Sequence, residues 1–480
     1  MSEQSTHKDT LIAQAQELHQ LGLLSQALVA YNKALKSSPK DPALLFMMGQ
    51  LQQDLDQHER AVNYFERAIK CDPSHALTHL CLSISLGQLT RNKKAVEACQ
   101  RALDLAPELF EAHYQLATLQ ARLHDTPGAR QAYHRALAIN PNSARVHYNL
   151  GVLDQLEMKP TRAIDHYEQA LLFQSDHVDT LINLSVALCE VGQIDRAKQI
   201  NRRALSLNPT RAEAHFNAHT YQLDDGQLQE AIASLRRAHE LAPQNEKYQA
   251  FLGVMLDYCG LPEQAAPFLS PAKPSKLYAA DIEAWQYLSQ QPKKPVMLAN
   301  AYALFKFALT RARSDGLVLE FGVYQGTSIN QIASLVDAPV HGFDSFEGIP
   351  EAWNDEPAGS YSTQGELPTV ADNVRLHAGW FSDTIPGFIS SHRDPVRLMN
   401  IDCDLYSSTE TVLDLFNEQI GHGTVLVFDE FIGNESWRDD EFKAFEQAVA
   451  RFGWSYEVIG FCFMTKQVAI LITGHASPKH

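Results

Sequence analysis

The sequence lacks several features that would have narrowed its reading at once. No stretch approaches the roughly eighteen uncharged apolar residues that a membrane-spanning helix needs, so no membrane span is expected. The opening Met-Ser-Glu-Gln-Ser-Thr-His-Lys-Asp has no apolar signal core, and the expected compartment is cytoplasmic. Seven cysteines (71, 81, 99, 189, 259, 403 and 462) form neither a CxxC pair nor a His-paired ligand spacing. A zinc motif is thereby excluded, and buried, reduced thiols are expected in place of a disulfide framework. Basic residues are scarce in the second half. From Ser275 onward 14 Lys and Arg face 27 Asp and Glu, whereas the whole chain carries a formal −17. Such an acidic half repels phosphate backbones, so no nucleic-acid partner is expected.

What the sequence does hold begins with a period. At 480 residues the chain exceeds one core, and its first half repeats itself every 34 residues. One alanine recurs at Ala27, Ala61, Ala95, Ala129, Ala163, Ala197 and Ala231, and a second at Ala34, Ala68, Ala102, Ala136, Ala170, Ala204 and Ala238. Both registers continue at Ala265 and Ala272. Prolines keep the same phase at Pro39, Pro73, Pro107, Pro141, Pro209 and Pro243, with Ser175 the exception. Each period reads as two amphipathic helices, small residues allowing close approach and proline stopping the second helix. The pattern resembles the tetratricopeptide repeat over residues 8–270, with seven full units and a degenerate eighth. That resemblance implies an all-α superhelix whose groove takes a protein or peptide partner. Asn149, Asn183 and Asn217 share one register, either gripping a peptide backbone or bridging neighbouring helices. His79, His113, His147 and His215 share another, one per repeat, too far apart for a common metal and expected to be structural.

Residues 271–295 are proline-rich and read as a junction between two separate cores. A helix is expected from Val296 to Arg313. Short apolar strands then alternate with helical patterns at Leu317–Phe321, Val340–Phe343, Val374–His377, Val396–Ile401 and Thr424–Phe428. This alternation predicts a parallel α/β sheet. The last two runs, Tyr456–Gly460 and Val468–Thr473, have only a short turn between them and predict a closing hairpin.

Chemistry-bearing residues fall at the ends of these strands, where open α/β sheets bind ligands. The first runs into Glu320-Phe-Gly322-Val-Tyr-Gln-Gly326-Thr-Ser328, a GxxxG turn without the dinucleotide GxGxxG spacing. It suits the methionine end of S-adenosylmethionine, or is simply a tight strand-to-helix turn. Asp344 and Ser345 follow the second strand, placed for ribose hydroxyls. Trp380 and Phe381 follow the third, able to cover an adenine or to pack in the core. Asp402 and Asp404 end the fourth strand, and Asp429 and Glu430 the fifth. Acids so gathered repel one another, which points to a hard divalent cation such as Mg²⁺, unless they cap the following helices.

Together, Glu-Phe-Gly-Val-x-x-Gly-x-Ser, Phe-Asp-Ser-Phe-Glu-Gly-Ile-Pro, Gly-Trp-Phe-x-Asp-Thr-x-Pro, Asp-x-Asp-Leu-Tyr-x-Ser-Thr and Phe-Asp-Glu resemble the macrocin O-methyltransferase family over residues 296–474. The resemblance implies an α/β Rossmann-like class I methyltransferase domain with Mg²⁺-dependent methylation of a sugar hydroxyl. Its implied metal ligands are Asp402, Asp429 and Glu430, with Asp404 in reserve. Its implied cofactor residues are Glu320, Gly322, Gly326, Ser328, Asp344, Ser345 and Trp380. Asp402 is the candidate catalytic residue. The histidine base of antibiotic-modifying members has no counterpart between Pro350 and Val374, and Glu430 stands where they tend to have aspartate. The leading expectation is an O-methyltransferase for a sugar or glycoconjugate whose repeats recruit a partner or carrier. A scaffold with a decayed methyltransferase domain and a protein methyltransferase are the alternatives.

Overall fold

The computed structural model describes residues 3–475. Residues 3–269 form sixteen helices paired in the 34-residue register, from Glu3–Gln20 with Leu24–Ser37 to Glu246–Tyr258 with Pro262–Leu269. The alanines explain the pairing. Those of the first ladder, from Ala27 to Ala265, are at most 1% exposed, and a larger side chain there would push the helices apart. Small residues on the first helix serve the same contact: a methyl group on Gly49 would lie 2.4 Å from the Phe65 ring. The second ladder ends at Ala238, because Ala272 is exposed and lies outside any helix. The eighth pair is cut short, its second helix holding Pro267 within eight residues.

The histidine ladder is structural. His79, His113, His147 and His215 each hydrogen-bond the carbonyl of the proline six residues earlier, at 2.7–3.0 Å. Each ring thereby ties the turn ahead of its helix to that helix. Asn149 donates to the Tyr114 hydroxyl at 3.1 Å, a bridge between helices. A further ladder was not foreseen. The corner between paired helices has positive φ, 55° to 77°, at residues 22, 56, 90, 124, 158, 192, 226 and 260. Glycine supplies it at four corners, but Met158 takes it at the fifth despite its bulk.

The chain divides into two compact units, Met1–Leu156 with Gln169–Ser175, and Glu157–Glu168 with Asp176–His480. The second holds an eight-stranded sheet of β1 (Val296–Met297), β2 (Leu317–Phe321), β3 (Val340–Asp344), β4 (Val374–Ala378), β5 (Val396–Ile401), β6 (Val425–Phe428), β7 (Trp454–Cys462) and β8 (Gln467–His475). Their order is β1-β7-β8-β6-β5-β2-β3-β4, with all pairs parallel except those of β8 with β6 and β7. The α/β class and its closing hairpin are thus present. The expected Val296–Arg313 helix is shorter. Val296 and Met297 pair with β7, and the helix begins at Ala301 behind an Asn300 cap that accepts from the Ala303 amide at 2.9 Å.

Separate cores are not what this unit shows. One continuous apolar core runs from Ala212 in the repeats, through the Lys276–Ser289 helix, to Ile472 in β8. Phe251 meets Phe463 edge-on at 5.0 Å, Tyr258 meets Phe461 at 6.2 Å, and the Tyr258 hydroxyl accepts from the Met297 amide at 3.2 Å. The proline-rich stretch is therefore packed chain, because its helix carries Ala284, Trp285 and Leu288 into that core. None of the cysteines is in a disulfide, and Cys71 is exposed, not buried. Among the described residues no helix is long and apolar enough to cross a membrane.

Two measurements check this packing. A fragment starting at Lys276 strips the repeat side from a shared core. It should aggregate or bind hydrophobic dye, while a fragment starting at Asp176 keeps a sharp thermal transition; a well-folded Lys276 fragment would show two cores. Beneath β3 and β4, the His341 and His377 rings stack 5.3 Å apart, and His392 lies 5.2 Å from His341. Burial, then the neighbouring histidines, push His341 down to about 4. A depressed folded pKa leaves stability intact above the unfolded value near 6.5 and removes it as pH falls toward 4, on the order of 3 kcal/mol. His341→Phe should flatten that acid limb of urea denaturation.

Candidate functional site

The hydrogen-bond ladder of the sheet continues past the strand ends and collects the functional residues there. Gly322 donates to Phe343 at 3.0 Å, Asp402 to Phe321 at 2.8 Å and Asp429 to Ile401 at 3.0 Å, all through main-chain amides. Around these tips lies a cleft of about 230 Å³. Gly322, Asp344, Ser345, Trp380, Asp402, Asp404, Asp429 and Glu430 all line it. Sequence positions more than a hundred residues apart thus share one cavity.

Glu320, Gly326 and Ser328 are placed differently. Glu320 is fully buried beneath the cleft, where its carboxylate accepts from the Ser328 hydroxyl at 2.5 Å. Burial pushes it up to about 8, opposed by the Ser328 bond. Its second oxygen has no hydrogen-bond partner among the described residues. Gly326, at φ 80°, caps the Thr327–Ala333 helix and lines a neighbouring groove. Asp344 spends most of its acceptor capacity on the chain itself: one oxygen takes the Val323 and Tyr324 amides, both at 2.8 Å, the other the Phe346 amide at 2.7 Å. It braces the first turn, and three of its four acceptor positions are used. Ser345 donates to the Gly348 carbonyl at 3.1 Å. Trp380 stands at the rim, 38% exposed, and Phe381 turns inward against Phe321 at 5.5 Å.

The acidic end gathers several carboxyl groups in a largely buried place. Asp402 lies well above the usual carboxylate range, chiefly through burial and then through Asp429, Asp404 and Glu320. Asp404 and Asp429 are each pushed up to about 7, by burial and then by Glu430. Among the described residues that line the cleft there is no lysine or arginine. Two acids are already tethered: Gln467 donates to Asp429 at 2.5 Å and Asn434 to Glu430 at 2.9 Å. Among the described residues no three His, Cys, Asp or Glu side chains converge closely enough to hold a metal ion between them. The expected triad of Asp402, Asp429 and Glu430 therefore shares a cavity without forming an assembled centre, because those amides hold two of its members.

Several lining residues escaped the sequence. Tyr324 and Tyr361 meet edge-on at 6.0 Å, and Trp353 donates to Asp440 at 3.2 Å. All three line the cleft, with Pro350 and Ile349 of the helix-free segment after β3. Tyr324 lay inside a quoted motif, but nothing in the spacing assigned it. Glu441 is fully buried and accepts from the Cys403 amide at 3.1 Å, adding another acid behind the cluster. Met158, from the fifth repeat corner, also lines the cleft, and its distance in sequence left no signal.

Of the two glycines in the GxxxG turn, Gly322 is the one that tolerates no side chain. A methyl group there would lie 1.7 Å from the Asp402 carbonyl oxygen, against 3.3 Å from Val370 for Gly326. Gly322→Ala should therefore abolish S-adenosylmethionine binding by calorimetry while repeat helicity persists. Affinity within twofold of the parent chain would mean that this turn does not shape the pocket.

Residues 319–431 match a family described as a methyltransferase domain, and residues 42–75 and 125–154 match tetratricopeptide repeat families. Among curated proteins the chain is similar to 8-demethyl-8-(2,3-dimethoxy-alpha-L-rhamnosyl)-tetracenomycin-C 4'-O-methyltransferase of Streptomyces olivaceus. The two are 29% identical over 156 residues, 26% of this chain and 58% of the relative. The chain thus spans under two thirds of that relative's length. Among solved structures it is similar to a tetratricopeptide repeat protein from Parabacteroides merdae, at 16% identity and a TM-score of 0.43, covering 52% of this chain and 99% of that one. It is also similar to YrrB, described as a TPR protein with an unusual peptide-binding site, at 18% identity and a TM-score of 0.34, covering 38% and 95%.

Proposed function

The chain carries tetratricopeptide repeats and a methyltransferase domain, and from that premise we infer that its cleft uses S-adenosylmethionine to methylate a hydroxyl of a sugar or glycoconjugate. One observation carries the reading: donor-type residues (Gly322, Asp344, Trp380) and the acids Asp402, Asp429 and Glu430 line a single cavity. The sugar acceptor draws on the Streptomyces olivaceus relative, whose name gives a rhamnosyl-bearing compound as the acceptor of its methyl group. The repeats are proposed to recruit a protein partner or carrier.

S-adenosylmethionine, when bound, supplies an electrophilic methyl group. Gly322 leaves room for its close approach to the main chain, and Asp344 keeps that turn rigid and offers its remaining lone pair to a ribose hydroxyl. Ser345 adds a hydroxyl at the same place, and Trp380 covers the rim. Trp353 and Tyr361 narrow the mouth and exclude water. Asp402 takes the acceptor's proton on its carboxylate, its basicity raised by burial and by the acids beside it. The buried Glu320 with its unpartnered oxygen suits a cationic ligand group that would draw its proton off.

A divalent cation suits the donor chemistry of the cleft, whose described lining offers oxygen ligands and no lysine or arginine, on condition that the acids draw closer together than they stand here. Asp402, Asp429 and Glu430 would hold it, with Asp404 in reserve. Mg²⁺, when bound, supplies a Lewis acid that lowers the pKa of a nearby hydroxyl.

The test combines stability and transfer. Glu320 at about 8, and Asp404 and Asp429 at about 7, have folded pKa values raised above the unfolded ones. Their stabilisation is complete below about pH 4 and lost as pH rises through 7 to 8. Mg²⁺ should therefore raise Tm by several degrees at about pH 8 and hardly at all at about pH 5. EDTA should remove methyl transfer to extracted glycans. Asp402→Asn should lower transfer about a hundredfold or more while cofactor affinity stays within about twofold. Full transfer in EDTA, with no Mg²⁺ effect on Tm, would sink the metal and leave the acids neutralised by protons.

A further inference from the structure

Beside the cleft lies a larger groove of about 950 Å³, about four times the cleft's volume. One wall is the fifth repeat corner, Glu157 to Arg162; the other is formed by the turn after β2 and by residues 362–369. Met158 and Tyr324 line both cavities, so the groove adjoins the cleft. Both hold positive φ, 55° and 45°, a costly conformation for large side chains, and they stand at the joint between the two spaces.

The walls say what would lie there. The side chains of Gln325, Thr327, Gln364 and Glu366 line the groove without a hydrogen-bond partner among the described residues. Amide, hydroxyl and carboxylate groups at intervals match a chain of hydroxyls, each able to donate and accept. A polypeptide bound by strand addition would need a sheet edge. Among the described residues neither edge strand, β1 nor β4, reaches this lining.

We propose that the groove is the outer part of the acceptor site, and that the acceptor is an extended polyhydroxylated chain of which only the terminal sugar enters the cleft. This rests on the methyl-transfer reading above. The repeat array then contributes directly to acceptor choice, through its fifth corner. Thr161 is exposed on the groove wall, so Thr161→Trp fills the groove from the repeat side. Gln364→Asn with Glu366→Ala removes hydrogen-bonding reach from the opposite side, and asparagine tolerates the φ of 58° at that position.

The full chain and both variants are tested against printed mono- to octasaccharides, with a panel of unglycosylated peptides in parallel. S-adenosylmethionine affinity is measured by calorimetry in each. The parent chain should retain oligosaccharides at least about tenfold better than the matching monosaccharides. Each variant should lose that gain and keep cofactor affinity within about twofold. Equal retention of short and long glycans, or no retention of any, overturns the proposal. Peptide retention lost in both variants overturns it in favour of a polypeptide acceptor. Length-dependent glycan retention in a chain that binds no S-adenosylmethionine would keep the groove and remove the methyl-transfer reading.

Discussion

Carboxylates held together out of water are the constraint around which the catalytic half is arranged. The main-chain ladder across β2, β5 and β6 sets Gly322, Asp402 and Asp429 at neighbouring strand tips. Burial and mutual repulsion then favour neutral acids, and only a proton or a cation can relieve them. Gly322 must be glycine because the Asp402 carbonyl already occupies the space a side chain would need. Donor turn and acidic tip are therefore one packed object: neither can shift without displacing the other.

The same economy of space joins the last repeats to the sheet. Aromatic side chains from Phe251, Tyr258 and Trp285 pack against Phe461 and Phe463 at the end of β7, beside Phe445 of the Glu441–Phe452 helix, which meets Tyr456. The eighth repeat ends in a short helix that holds Pro267, and the Lys276–Ser289 helix that follows packs into the shared core. Met158, at the fifth repeat corner, lines the cleft itself.

Much of this was legible without coordinates. Period and composition announced the helical pairs, because an alanine every 34 residues has a single packing meaning. Strand tips were legible because runs of Val, Ile, Leu and Phe end abruptly in Gly or Asp. The roles of individual residues were less so. Asp344 read as a ribose ligand, yet it chiefly holds the amides of Val323, Tyr324 and Phe346. Glu320 read as a cofactor residue, and it is fully buried and absent from the cleft lining. Spacing places a residue on a strand end, but side-chain rotamers decide which of several nearby partners it meets.

The sequence by itself determined the two architectures, their order and the strand tips bearing acid and glycine, because those follow from local period and local backbone preference. The tertiary structure alone decided that the last repeats share the catalytic core. It also decided that Met158 reaches the cleft, that Gly322 and not Gly326 is the turn glycine without room for a side chain, and that two of the expected metal ligands are tied to Gln467 and Asn434. Each of these is a contact between residues far apart in the chain. Such contacts are selected by the packing of whole faces, and no residue spacing records them.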